Sequence, residues 1–378
     1  MQFRTLWMFG GLAIALAMGL PAAAGAANVT RTLQQSIQVP AGGSLIVENL
    51  VGHMTVTQGS GPAQVTATVV AGDDDAAALA QSVKLELSTA GKQVRVHVYY
   101  PVDRFGTFRY NPPNAQAEGS GEACILGNLI CIHGSSHSTV HYQGARVRVD
   151  GSSVGSGAPL YVDVAVRLPA QVSASLDNAV GLLEANGLAD NLALATQGSD
   201  IHVRTLDGSL DARSGGGDIT LDAVTSAAAR VHTGGGDLTG NNLSGTLRLA
   251  TGGGDARLDS VAGALDLDTG GGDANLGGTL SALHTLRVRS GGGDLTVRGN
   301  LAALGLLDAN SGGGDLVLRA SGLSLHLDAS SGGGDLDVNL PHLSNVTRSS
   351  DHFSADIGKA VGRGTLRSSG GDLTVSQP

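Results

Sequence analysis

The chain is poor in the residues from which recognition surfaces are commonly built. Aromatics make up 3% of its 378 positions. Between Asp190 and Pro378 the only one is Phe353, which disfavours sugar binding by ring stacking along that half. Lysine is confined to Lys84, Lys92 and Lys359, charged residues total 15%, and the formal charge is −10. That balance argues against nucleic acid and anionic membrane as partners. No H-E-x-x-H or phosphate-loop pattern is present, and the one G-x-S-x-G match, Gly151–Gly155, falls in a Gly/Ser-rich stretch, so the common metalloprotease and nucleotide-binding signatures are missing. One apolar run, Leu6 to Leu20, approaches membrane-spanning length, and at 15 residues it falls short.

Glycine, by contrast, is abundant at 58 residues, and much of it sits in one recurring phrase, S/T-G-G-G-D. The phrase occurs at Ser214–Asp218, Thr233–Asp237, Thr251–Asp255, Thr269–Asp273, Ser290–Asp294, Ser311–Asp315 and Ser331–Asp335. A degenerate copy stands at Thr196–Asp200 and a shortened one at Ser369–Asp372. From Asp200 to Asp335 the aspartates step by 18, 19, 18, 18, 21, 21 and 20 residues. Apolar residues alternate on both sides of each phrase, as in Leu247 and Leu249 before it and Leu295 and Val297 after it, the pattern of strands with one buried face. The glycines between them read as a corner able to turn sharply and to adopt φ > 0.

A single coil of this kind buries too few side chains to offset the entropy of ordering it. Stacked coils share a core and a ladder of hydrogen bonds. The fold class expected is therefore all-β: a parallel β-solenoid of about 18–21 residues per coil, rising roughly 4.8 Å per coil. The calcium-binding nonapeptide code G-G-x-G-x-D-x-U-x does not fit, because Asp follows three contiguous glycines directly.

Read from its start, the chain divides into four stretches. Residues 1–26 read as a signal peptide, with Arg4, the apolar run, Pro21 and small residues suited to cleavage. Residues 27–100 read as the N-terminal strand region of the solenoid. Its candidate strands include Ile37–Pro40, Leu45–Val47, Met54–Val56 and Val65–Ala67, and its one helix candidate is Asp73 to Ser82. Residues 101–157 read as an irregular insertion, and residues 158–378 as the GGGD-repeat solenoid.

Three features carry a resemblance. They are S-L-I-V-E-N-L-V-G-H-M-T-V at 44–56, V-R-L-P at Val166–Pro169, and G-x-L-x-L-x-T-G-G-G-D at Gly245–Asp255 and Gly263–Asp273. Together they resemble the bacterial putative-adhesin β-strand-repeat family, similar to the head domain of autotransporter adhesins, over roughly 35–100 and 158–378. The resemblance implies a right-handed, pectinase-like β-helix, an envelope location and no catalytic residues. The insertion and the lack of a C-terminal barrel depart from the autotransporter pattern.

The candidate site residues follow. Asp200, Asp218, Asp237, Asp255, Asp273, Asp294, Asp315, Asp335 and Asp372 form a ladder that reads as a structural turn element, each side chain capping corner N–H groups. A row of carboxylates is also what Ca²⁺ would seek, but a feature repeated at every coil points to structure. Cys124 and Cys131 close a short loop and read as a disulfide in an exported protein. His133, His137 and His141 read as part of a polar loop, since residues four apart on a strand lie roughly 13 Å from each other. Tyr99, Tyr100, Phe105, Phe108 and Tyr110 cluster at the mouth of the insertion and mark a candidate binding surface, or else a flap covering the solenoid. No cofactor or metal is expected. The expectation is an exported, non-enzymatic binding or scaffold module of the bacterial envelope, in periplasm or at the cell surface, with a protein or polysaccharide ligand and no membrane span after signal removal. The rival is a polysaccharide-degrading, pectinase-like β-helix enzyme.

Overall fold

A computed structural model describes residues 28–110, 116–118, 122–125, 130–132, 137–151 and 157–377, with the backbone alone for 28–30 and for the described parts of 111–137. The expected signal peptide and His133 lie outside these residues. The chain is a parallel β-solenoid, as the repeat predicts. Each coil contributes one strand before the GGGD corner and one after it, and equivalent strands pair in parallel and in register. Before the corner, Leu210–Ser214 pairs with Ala229–Thr233, which pairs with Leu247–Thr251 and so on to Leu286–Ser290. After the corner, Ile201 pairs with Ile219, Leu238, Ala256, Ala274, Leu295 and Leu316 in succession. The alternating aliphatics stack inside: Leu247, Leu249, Leu265, Leu267, Leu286 and Val288 are all buried. Each coil thus completes its neighbours' core, which is why the unit repeats instead of standing alone.

The two ends are not parallel. At the N-terminal end, Asn28–Ile37 pairs antiparallel with Ala63–Ala71, which pairs antiparallel with Leu160–Leu168. On the other face, Lys84–Ala90 closes antiparallel on Gln93–Tyr99. Hairpins satisfy the edge that a solenoid would otherwise expose. The run Ile37–Pro40, predicted as a strand, is instead the end of Asn28–Ile37 and a turn in which Gly43 N–H donates to Pro40 O at 2.8 Å. The predicted helix forms at Asp74–Ala80, capped by Asp73, whose Oδ1 accepts the Ala76 N–H at 2.7 Å.

At the C-terminal end the order in space departs from the order in sequence. Strand Gly362–Ser368 pairs with Leu306–Ser311 on one side and Leu325–Ser331 on the other. Likewise Leu373–Ser376 lies between Leu316–Ser321 and Leu336–Asn339. The last coil of the chain is therefore the penultimate coil of the stack. The segment between forms an antiparallel hairpin, Leu343–Arg348 with His352–Ile357, that covers Leu325–Ser331.

Candidate functional site

The GGGD corner is an interlocking device with three separate parts. The first is the aspartate. Its Oδ1 accepts the backbone N–H of the aspartate in the next coil, at 2.8–2.9 Å along the whole row from Asp200 through Asp218, Asp237, Asp255, Asp273, Asp294 and Asp315 to Asp372 and Asp335. The cap thus reaches across coils and joins them. Such charge-assisted bonds are about twice as strong as neutral ones.

The second part is the buried Ser or Thr that opens the phrase. Thr251 Oγ1 donates to Gly236 O at 2.8 Å in the preceding coil and accepts Gly254 N–H at 3.0 Å in its own. Thr233 does the same with Gly217 O and Gly236 N–H. Sequence reasoning recorded this hydroxyl as part of the phrase and assigned it no role.

The third part is the glycines, and here the φ > 0 expectation is corrected. None of the glycines in the GGGD phrases has positive φ. What they need is closeness. A Cβ on Gly252 would run into Gly234 O, and one on Gly254 into Gly236 O and Asp237 Oδ1. The middle glycine is different: a Cβ on Gly253 would come no nearer than 4.0 Å to any atom. Positive φ appears instead at the next corner, in non-glycine residues stacked over one another: Thr205, Ala223, Asn242 and Ser260, with φ of 53–63°. The paired residues on either side place these four in one column.

A further buried polar pair lies in the first coils. Asn49 Nδ2 donates to Asn178 Oδ1 at 3.0 Å and to Val162 O at 2.9 Å, and Asn178 Nδ2 donates to Gly52 O at 2.7 Å and Gly181 O at 2.8 Å. The signal was available in the matching N-x-V-G runs at Asn49–Gly52 and Asn178–Gly181, to which the sequence analysis assigns no role.

The aromatic cluster is divided between core and surface. Tyr100, Phe108 and Tyr110 are buried, and Phe105 is exposed while Tyr99 is partly so. Tyr100 packs edge-on against Phe108 and Tyr142 at centroid distances of 5.6 and 6.0 Å, and Tyr110 against Tyr161 at 5.2 Å. Tyr100 O–H donates to Val51 O at 2.8 Å and Tyr142 O–H to Val98 O at 2.7 Å. Burial pushes all these phenols well above their ordinary pKa. With few aromatics in the chain, the largest rings are used to seal the junction between the solenoid's first coils and the sheet formed by Thr107–Arg109, His137–Tyr142 and Ala145–Asp150.

Cys124 and Cys131 stand directly opposite each other on the antiparallel strands Glu122–Ile125 and Ile130–Ile132. Their side chains lie outside the described residues. His141 lies on strand His137–Tyr142 and is exposed.

On the outer face after the corner, His53 Nε2 and Glu184 Oε2 are 3.1 Å apart, and the His53 backbone N–H donates to Asp163 Oδ1 at 2.8 Å. The hydrogen bond to His53 holds the Glu184 carboxyl below its usual range. His202, paired to Glu184 across the strands, is buried and its Nδ1 has no partner, and this burial lowers its pKa. Among the described residues no group of three or more His, Cys, Asp or Glu is arranged to hold a metal ion.

No curated protein matches the sequence significantly. Two solved structures align over most of their length: "a putative cell adhesion protein" from Clostridium sporogenes, at 8% identity and a TM-score of 0.23 over 92% of this chain and 99% of that one, and a "putative adhesin" from Parabacteroides distasonis, at 11% and 0.29 over 93% and 98%. A family profile matches residues 164–376, which contain every GGGD corner. With more than half of its length so matched, the chain belongs to the Toastrack DUF4097 family.

Proposed function

We propose that the protein is an exported, non-enzymatic β-solenoid that serves as a binding or scaffold module of the bacterial envelope. The observation that carries this reading is how the chain length of each coil is used. Coils of 18–21 residues are taken up by two paired strands and tight corners, which leaves no length for the long loops that wall a polysaccharide-cleaving cleft. The corner aspartates accept N–H groups of the next coil, so their position has a structural account without a reaction. The N-terminal features of a signal peptide support export. The pairing of Cys124 with Cys131 across one antiparallel ladder supports a disulfide, since opposite residues bring their Cβ atoms to about 4.5–5.5 Å.

Fractionation of the native host with pull-down of the mature protein tests the reading. Recovery in the periplasm or on the cell surface with a bound protein or polysaccharide is expected. Recovery in the cytoplasm, or depolymerisation of a polysaccharide by the purified protein, contradicts it. Two free thiols after alkylation of protein exported by its own signal would remove the disulfide.

A further inference from the structure

We propose that the outer groove ahead of the GGGD corners, at the Arg230–Arg248 rung, binds an anionic saccharide bearing carboxylate or sulfate groups among free hydroxyls. This rests on the reading of the protein as a binding module, and names the class of ligand and the surface that takes it.

The register brings basic groups together on adjacent strands. Arg230 lies directly opposite Arg248, and Arg213 directly opposite His232. Arg213 is held by Asp211 at 2.7 Å, whereas Arg230, His232 and Arg248 have no carboxylate within ionic reach among the described residues. Like charges directly opposite one another destabilise a sheet. Each arginine also has an acid directly opposite on its other side, Asp211 for Arg230 and Asp266 for Arg248, but those acids are taken by other arginines: Asp211 by Arg213, and Asp266 by Arg289 at 3.6 Å. Two facing guanidinium groups instead form the centre of a groove of ≈ 330 Å³. Ala250, between His232 and Asp268 in the neighbouring row, supplies the room.

The groove is not purely basic, and that selects the ligand. Asp211 flanks the arginine rung on one side, and Asp266 and Asp268 flank it on the other. The four strands from Asp211 to Asp266 span roughly 14 Å. Guanidinium forks bind a carboxylate or sulfate through two parallel hydrogen bonds. Of the flanking carboxylates, Asp211 is engaged by Arg213 and Asp266 by Arg289, and the exposed Asp268 is the one left to accept hydrogen bonds from hydroxyls. A saccharide carrying an acidic group offers both along one chain. A nucleic acid or an acidic peptide presents more negative charge and fewer hydroxyl donors to the three aspartates, and is repelled by them. At 0.15 M salt the screening length is about 8 Å, so the overall negative charge of the protein does not prevent local binding.

A second arginine rung provides the control. Arg298 lies opposite Arg319 on the other outer face, in a groove without flanking carboxylates. The mature full-length protein is titrated with oligogalacturonate, with oligomeric dextran sulfate and with neutral dextran of matched length. Binding of at least one anionic probe and not of dextran is expected, and the better of the two identifies carboxylate or sulfate as the recognised group. In R230Q/R248Q the affinity should fall roughly tenfold or more, while R298Q/R319Q, with the same change in charge, stays within about twofold. The melting temperature of R230Q/R248Q should change little, because neither arginine makes an ion pair among the described residues. If that variant does not fold, R248K, which keeps the charge and loses the fork, is expected to weaken binding. Absence of binding to both anionic probes, equal binding to dextran, or equal losses in the two double variants would each overturn the assignment. A protein that binds neither probe yet is recovered from the envelope with another partner sinks this groove and leaves the binding-module reading intact.

Discussion

Asp372 donates its backbone N–H to Asp315 Oδ1 at 2.8 Å, although 57 residues separate the two in sequence. Asp335, which precedes Asp372 by 37 residues, donates to Asp372 in turn. The final repeat is therefore held between two coils instead of lying at the end of the stack, and the intervening hairpin closes the outer side. Both strands of this repeat are paired on both flanks.

The corner glycines are not equivalent. Gly254→Ala places a methyl group against Gly236 O and Asp237 Oδ1, and the coils cannot separate without breaking the ladder. A loss of about 1–3 kcal/mol is expected, as for other overpacked sites. Gly253→Ala meets nothing closer than 4.0 Å and has no left-handed φ to oppose it, so it should be neutral or stabilise by up to about 1 kcal/mol through the unfolded chain. Urea midpoints compare the two; equal losses would refute the close-approach account.

Calcium should not be required for folding. Eight of the nine ladder carboxylates, all but that of Asp335 at the end of the row, already accept the N–H of the next coil. Melts of the mature protein in EDTA and in millimolar Ca²⁺ should differ by no more than a few degrees. A protein unfolded in EDTA that folds on adding Ca²⁺ would make the ladder a metal site.

His202 should give stability a specific pH dependence. Burial lowers its pKa below the ordinary 6.5, so the unfolded chain binds the proton more readily than the folded one. Its contribution is complete above about pH 6.5 and is lost as pH falls below that value. His326 has the opposite sign: the hydrogen bond to Asp356 raises its pKa, and its contribution is lost as pH rises through the folded value. The quantity to measure is therefore the difference in unfolding free energy between parent and His202→Gln, in which His326 cancels. The parent should lose relative stability on going from pH 7 to about 5. A flat difference would show that the buried imidazole does not titrate as described.

Much of the fold was legible because the period, the alternating aliphatics and the corner phrase all encode one stack. The phrase did not disclose why its glycines are needed. A sequence shows that Gly254 lacks a side chain, but not that Gly236 O stands where one would be. The left-handed column of Thr205, Ala223, Asn242 and Ser260 was hidden because none of these is a glycine, and only tertiary pairing on both sides fixes them. The aromatics read as either a binding surface or a flap because a sequence shows their clustering at 99–110, not the burial of Tyr100, Phe108 and Tyr110. The exchange at the C-terminal end had one trace, the step of 37 from Asp335 to Asp372 against 18–21 elsewhere, which is compatible with an insertion as readily as with a reordered stack. The arginine rung was invisible until the register set Arg230 against Arg248.

The order of the stack is the claim on which the ladder rests, and paired cysteines test it most directly. Asn310 and Ser330 each lie opposite Arg367, on its two sides. In a background with Cys124 and Cys131 replaced by Ser, Asn310→Cys/Arg367→Cys and Ser330→Cys/Arg367→Cys should both cross-link on mild oxidation, since neighbouring strands are about 4.8 Å apart. Asn310→Cys/Ser330→Cys, two rungs or roughly 9–10 Å apart, should not. Peptide mapping without reduction reads the outcome. A cross-link between positions 310 and 330, with none to 367, would show coils stacked in simple sequence order and would contradict the structure.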